Sequence, residues 1–451
     1  MPDFTIPLLA ACLAPFAIFL ALRRPLLFPL GLYVMLVPFD PLLGQNGATL
    51  TRGVALISAA ALLFHIIAQR RLLMPPRSWT VWAAFILWAA LTALFSIDAP
   101  ATLLSFGQIF QLFLFYTIVA VYPVQRGELR GLAAIIVGSG VVVAGYGASL
   151  YLQGTRFDAD RLTLNNGAGA YLDPNHLGAA LLLPIALAVG TLIETRNVLL
   201  RIAAGLSVTV MGAALFMTGS RGALIALTVL LLYIAWQTRY RMRILALFSL
   251  LGGLSLMVPT IWARFTDPTQ GAGSGRLYIW NAAFKGMHEY WLTGSGLGTF
   301  PAVYNRELLS IYQQVFQGWS RPAHNVFLSS AVELGLLGAA LLVYAWWRTW
   351  ADARGNVVIE AALVSLAVAS CFLDTLLFKY LWLAFTMAAL AKNAAEPHML
   401  RGKVRNSDLA QHRTAGRNAA YQRQLARRWF MRRPHLSDAP QHPAPTVIAP
   451  E

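Results

Sequence analysis

The residues best suited to chemistry in this chain are one histidine and a set of arginines. His324 stands in Arg321-Pro322-Ala323-His324-Asn325, directly before an apolar run that opens at Val326. A helix starting there sets its positive end beside the imidazole, and neighbouring guanidiniums add to the field. Both disfavour imidazolium and lower the histidine pKa. An imidazole kept uncharged near neutral pH can accept a proton, which is what a general base must do. Asn325 can cap the helix or orient the ring. The alternative is a polar histidine at the edge of an apolar segment, with no chemical duty.

Arg221 lies in Thr218-Gly219-Ser220-Arg221-Gly222, a tight turn between two apolar runs. A charge held at such a boundary is costly and usually has a partner, and a helix opening near Gly222 adds its positive end. Arg276 follows Gly273-Ser274-Gly275 and precedes Leu277, Tyr278, Ile279 and Trp280; the glycines permit close backbone approach to a ligand. Arg156, Arg161, Arg264, Arg306, Arg321 and Lys285 occupy the same set of connectors. Clustered guanidiniums suit a phosphate or diphosphate, gripped through paired N–H donors. The alternatives are lipid headgroups or nearby carboxylates as partners and, for Arg221, a snorkelling side chain that ends a span.

Other candidates carry less. His176, in Asp173-Pro174-Asn175-His176, is a second possible base, or part of a capping segment in which Asp173 or Asn175 is the N-cap. His288 and Glu289 are adjacent but lack partners at ligand spacing, and His65 sits inside an apolar run, where a hydrogen bond within the bundle accounts for it. Asp374 and Lys379 are expected to pair with each other. No metal-binding pattern accompanies these residues, so no catalytic metal and no cofactor is expected. Gly294-Ser295-Gly296-Leu297-Gly298 follows no strand and leads into no Lys-Ser/Thr, which rules out a nucleotide loop.

These residues must be held by elements built for lipid. The chain has 451 residues, 57% hydrophobic and 12% charged, with a mean hydropathy of +0.58. That apolar surplus exceeds what one soluble core can hide. Apolar windows near spanning length recur from Phe4 to Ala391, about twelve or thirteen of them. They include Pro25–Leu43, where prolines threaten a helix, and a single helix over Val326–Trp347. Cys12 and Cys371 both lie in apolar runs, so no disulfide scaffold is expected. The net charge of +16 reports orientation first. One set of short connectors carries Arg23, Arg24, Arg70, Arg71, Arg77, Arg126, Arg130, Arg196, Arg201, Arg239, Arg241, Arg243, Arg348 and Arg354, and that set is expected in the cytoplasm. The connectors 153–175, 218–222 and 262–324 then face outward, the last as a folded layer on the membrane surface. The expected fold is an all-α polytopic membrane protein with four parts. They are transmembrane helices over 1–261, a periplasmic loop domain over 262–324, further helices over 325–391, and a basic cytoplasmic tail over 392–451.

His324-Asn325, nine further residues, then Gly335-Leu336-Leu337-Gly338 resembles the His-[Asn/Ser/Gln]-x9-Gly-x-x-Gly signature of bacterial O-antigen ligases. Those belong to a superfamily that also includes O-antigen polymerases and protein O-oligosaccharyltransferases. The large outer loop before the motif, the Ser-Arg-Gly turn at Arg221 and the Pro-Asn pair at 174–175 are similar to the same family. Its Arg-x3-Leu pattern is matched with Ile225 in place of Leu. The resemblance implies an inverting, metal-independent glycosyltransferase with its site on the periplasmic side of a bacterial inner membrane. It implies a donor glycan on undecaprenyl diphosphate, a lipid A–core acceptor, membrane lipids as surroundings and no nucleic acid. His324 would then be the catalytic base, with Arg221, Arg276, Arg161 and Asn325 binding substrate. An O-antigen polymerase is the nearest alternative, and a lipid-linked glycan transporter is the alternative from another class.

Overall fold

The computed structural model describes residues 19–157, 160–165, 171–256, 276–311 and 319–395. Most of the Phe4–Leu22 window, Arg264, the Gly273-Ser274-Gly275 segment and nearly all of the tail lie outside the described residues. Helices α1 (Leu30–Leu36), α2 (Gly44–Gln69), α3 (Arg77–Leu91), α4 (Ala99–Ala120) and α5 (Arg126–Leu152) come first. After them come α6 (Pro174–Ala180), α7 (Leu182–Glu194), α8 (Val198–Met217), α9 (Arg221–Gln237) and α10 (Arg241–Leu256). The large connector holds α11 (Arg276–Glu289) and α12 (Phe300–Ile311), and the chain continues through α13 (Val326–Glu333), α14 (Gly335–Asp352), α15 (Val357–Ser370) and α16 (Lys379–Ala395). Among the described residues the one sheet is a small antiparallel hairpin, β1 (Leu164–Asn165) with β2 (Tyr171–Leu172).

Six helices among the described residues are long and apolar enough to cross a membrane, and three shorter apolar helices accompany them. The chain is an all-α polytopic membrane protein. In five of the six, only 28% to 39% of the apolar window is buried within the protein, whereas in Pro174–Glu194 the share is 78%. That contrast identifies the hub. Residues Leu182–Gly190 of α7 are buried on every side, while the outer helices leave large side chains such as Leu56, Ile67, Leu104 and Leu199 uncovered. A row of that kind is stable only against hydrocarbon.

Prolines shorten the expected Pro25–Leu43 span. Pro29 caps α1, which lasts seven residues, and a 3-10 segment through Pro38 and Pro41 follows it. At one end of the bundle Asp352 accepts the Ser78 N–H at 2.8 Å and pairs with Lys392 at 2.7 Å. The Asn393 amide there donates to the Ala120 carbonyl at 2.8 Å. This end gathers Arg77, Arg126, Arg130 and Arg354. At the opposite end the Ile97 N–H donates to Ser295, Leu162 to Met217 and Val326 to Leu373. Successive connectors thus alternate between an arginine-rich end and an end that carries the candidate chemistry.

The expected single helix over Val326–Trp347 is broken. Leu334 leaves the helical region and Gly335 takes φ +67°. A Cβ on Gly335 would come within 2.6 Å of the Leu292 carbonyl oxygen, so glycine meets both the conformation and the space. At the break the Leu336 N–H donates to the Trp291 carbonyl at 2.8 Å, and Trp88 Nε1 donates to the Leu334 carbonyl at 2.8 Å beside the Gly338 N–H. Gly338 completes the packing: a Cβ there would lie 2.2 Å from Leu334 Cβ and 3.2 Å from the Trp88 ring. The Gly-x-x-Gly half of the motif is therefore a hinge and its buttress. Ahead of the hinge, α13 sets Val326 in the main core, and its Val332 joins a second core with Ile279, Ala282, Phe300, Val303, Tyr304 and Ala323. This surface layer is moored by the glycine stretch at 294–298. There the Gly296 N–H donates to the Glu333 carbonyl at 2.9 Å, and the Phe300 N–H donates to the Glu333 carboxyl at 3.0 Å.

Candidate functional site

His324 is set by its backbone before its ring. Its φ of +51° is the left-handed region, uncommon for a residue with a side chain, and it persists only where neighbours over-determine it. Three do so here. The His324 N–H donates to Asp374 Oδ2 at 2.8 Å, the Trp280 indole donates to the Ala323 carbonyl at 3.0 Å, and the Val326 N–H donates to the Leu373 carbonyl at 3.1 Å. The segment before α13 is thus pinned by the surface layer on one side and the α15–α16 hairpin on the other.

The surroundings make this imidazole a weak acceptor of a permanent proton. Burial comes first, then the positive charges of Arg276 and Arg321, with Asp173 opposing; together they lower its pKa to about 4. Asp374 moves the other way. Burial raises its carboxyl to about 6, against the pull of the His324 and Asn325 N–H groups, the Ser329 hydroxyl and Arg276. Near neutral pH the site therefore holds an uncharged imidazole and an ionised carboxylate.

Arg221 is the first residue of α9, half-buried, in a turn that Gly219 enters at φ +59° and Ser220 caps by accepting the Ala223 N–H. Gly222 lies flat on Phe372, where a Cβ would fall 2.9 Å from the Phe372 Cβ. The Arg276 guanidinium sits over that same ring, 5.9 Å from its centroid. Phe372 is the partition around which the turn of Arg221, the start of α11 and the Asp374 hairpin meet. Arg276 also acts electrostatically on both His324 and Asp374.

Arg161 is buried, and its expected role as a direct substrate contact is narrowed by where its donors go. Nε donates to the Thr218 carbonyl at 2.7 Å and a terminal nitrogen donates to Asn175 Oδ1 at 2.9 Å. It ties the β1 loop and α6 to the turn that presents Arg221. Asn325 is the N-cap of α13, its Oδ1 accepting the Phe327 and Leu328 N–H groups, each at 3.1 Å. That oxygen serves the helix start, with only the amide nitrogen left for a substrate contact. Asp173 caps α6, accepting the Asn175 N–H at 2.6 Å. His176 stacks on Phe378 at 3.8 Å, faces the Tyr380 hydroxyl at 3.0 Å and lies within electrostatic reach of His324.

The expected Asp374–Lys379 pair is not formed. Lys379 pairs instead with Asp40 at 2.6 Å, which leaves Asp374 to the histidine backbone. Chain proximity favoured the wrong partner, since the 3-10 segment after α1 brings Asp40 in from far away in sequence. The signal that could have found Asp374 was its connector, which lies on the same side of the bundle as His324. Arg156 pairs with Asp160 and Arg306 with Glu289, all at exposed positions, and Arg306 also reaches the half-buried Glu307. His65 contacts Gln69 at 2.7 Å, and Glu360 accepts from Tyr233 at 2.6 Å and from the Gly355 N–H at 2.7 Å. Both lie toward the arginine-rich end.

The site thus combines an uncharged imidazole, a carboxylate that fixes its backbone, and the Arg276 guanidinium over an aromatic ring that also meets the turn of Arg221. It can take a proton from a hydroxyl and stabilise an anionic leaving group nearby. Residues 206–343 match the family model described as O-antigen ligase, a segment that runs from α8 into α14 and contains Arg221, Arg276 and His324. No curated protein matches the chain.

Proposed function

From a chain whose residues 206–343 match the O-antigen ligase family model, we propose an inverting glycosyltransferase. It moves a glycan from undecaprenyl diphosphate to a hydroxyl of lipid A–core at the periplasmic face of the inner membrane. One observation carries this reading: His324, uncharged and strained into φ +51°, lies in the field of Arg276 at the end of the bundle opposite the arginine-rich connectors. By the charge rule that end faces the periplasm.

The acceptor hydroxyl lies against His324, which takes its proton as the oxygen attacks the anomeric carbon. The bond from that carbon to the diphosphate oxygen breaks, and both electrons leave with the diphosphate. Arg276 and Arg221 stabilise this growing charge with preorganised donors in a water-poor site. Arg161 acts one step back, holding the Arg221 turn against α6. Direct displacement inverts the anomeric centre. The energy comes from the activated donor, so the reaction needs no nucleotide. The positions of His65 and Glu360, both bonded near the arginine-rich end, favour this one-sided reaction over a transport path through mid-membrane.

The test is reconstitution of the purified chain with an undecaprenyl-diphosphate glycan and two acceptors together, lipid A–core and a second lipid-linked glycan. Elongation of lipid A–core is expected. Elongation of the lipid-linked glycan instead would make the protein a polymerase, and elongation of neither would favour transport. His324→Ala should abolish transfer with folded protein retained, and full transfer by that variant rejects the base assignment.

A further inference from the structure

We propose that the cleft beside His176 is a saccharide subsite, binding one uncharged sugar ring of a glycan that reacts at His324; this rests on the proposed transfer reaction. The cleft has a volume of about 150 Å³ and is lined by Asp40, His176, Ala180, Phe378, Lys379 and Tyr380 among others. Its polar groups differ in kind from the arginine site. Lys379 and Asp40 form an ion pair of 2.6 Å, so the cleft carries a donor and an acceptor without net charge from them. Lys379 also donates to the Thr51 hydroxyl at 3.2 Å, and that hydroxyl in turn donates to Asp40, which fixes the pair in place.

Beside the pair stand the linked His176 imidazole and Tyr380 hydroxyl, 3.0 Å apart, and the Phe378 ring on which His176 stacks at 3.8 Å. A neutral ligand with many hydroxyls uses such a set fully: carboxylate and ammonium for the hydroxyls, aromatic rings for the C–H faces. An anion gains little where the cation is already neutralised, and an acyl chain would leave the charged pair dry and without a partner. The cleft lies near the reacting histidine: its Phe378, Lys379 and Tyr380 follow closely on Asp374, which accepts the His324 N–H at 2.8 Å, and Asp173 acts electrostatically on both histidines. A sugar held here is therefore one link of a chain whose end reaches the base.

The experiment uses the full chain in lipid nanodiscs with undecaprenyl-diphosphate glycan and lipid A–core. KM and kcat are measured separately for donor and acceptor. Ala180→Phe narrows the cleft, and the double variant Asp40→Asn with Lys379→Gln removes both charges while keeping a polar side chain at each position. The double variant also guards against misfolding from a single unpaired charge, and thermal melting checks that each variant is folded. KM for one of the two glycans should rise about tenfold in both variants, with kcat within about twofold, as expected for lost ground-state contacts. A rise for the donor assigns the ring to the transferred glycan, and a rise for the acceptor assigns it to the core. Variants matching wild type in both KM values overturn the subsite while leaving the transfer reaction standing. A folded wild-type protein that transfers nothing overturns the transfer reaction and the subsite with it.

Discussion

Asp374 reaches His324 through the main chain: its Oδ2 accepts the His324 N–H at 2.8 Å, while the imidazole stays free of that carboxylate hydrogen bond. The carboxylate therefore fixes where the ring stands and leaves the ring's own tautomer unset. Asp374→Ala should lower kcat about a hundredfold, in the range of misplaced catalytic groups. Asp374→Asn, which keeps an acceptor oxygen, should lose less. Donor KM should change little in both. A larger loss in Asn than in Ala would show that the negative charge, and not the backbone bond, is what matters.

The pH profile follows from the two shifts. Asp374 titrates at about 6, so its hold on the His324 N–H weakens as pH falls through that value. His324 itself takes a proton only near pH 4, below its ordinary 6.5, because burial and Arg276 depress it. The free-enzyme kcat/KM should be flat at neutral pH, decline below about 6 and fall steeply toward 4. Arg276→Gln removes a positive charge that disfavours imidazolium, so in this variant the steep limb should move to higher pH. An unmoved limb would separate Arg276 from the histidine's electrostatics.

Arg221 and Arg276 differ from lysine in offering a planar pair of donors. Arg276→Ala and Arg221→Ala should each weaken donor binding by about ten- to a hundredfold. Lysine at each position should recover only a small part. Titration with undecaprenyl-diphosphate glycan reads this directly, and full recovery by lysine at a site removes paired recognition there.

Gly335 combines φ +67° with a backbone oxygen 2.6 Å from its absent Cβ. Gly335→Ala should destabilise the folded protein by about 1–3 kcal/mol, visible as a lower melting temperature in detergent. Gly338→Ala should do the same through collision with Leu334 and Trp88. By contrast, Arg306→Ala removes an exposed pairing with Glu289 and should leave stability within about 1 kcal/mol.

Much of this arrangement was legible in the residues. Charge asymmetry separated the two ends, and the boundary positions of Arg221 and His324 drew attention to themselves because a polar group beside lipid needs a reason. What escaped was set by distant contacts. Nothing local distinguishes Asp374 bound to a backbone N–H from Asp374 paired with Lys379, since the choice depends on Asp40 arriving from the 3-10 segment after α1. The bend at Leu334 was equally hidden. Leu334-Gly335-Leu336-Leu337 reads as an apolar helix segment, and only the Leu292 carbonyl and the Trp88 indole give the glycine its task. The bonds from Arg161 to Thr218 and Asn175 were hidden as well, because burial and partners cannot be read from a loop position.

His324 and Asp374 belong to different bodies, the histidine arriving from the surface layer and the aspartate from the last membrane hairpin. That bond joins those of Val326 to Leu373 and Ile97 to Ser295 in a seam between a layer and a bundle that pack around separate cores. Parting that seam would release the His324 backbone from the contacts that hold its positive φ. Under the proposed transfer, the histidine is therefore placed for chemistry only where layer and bundle are joined.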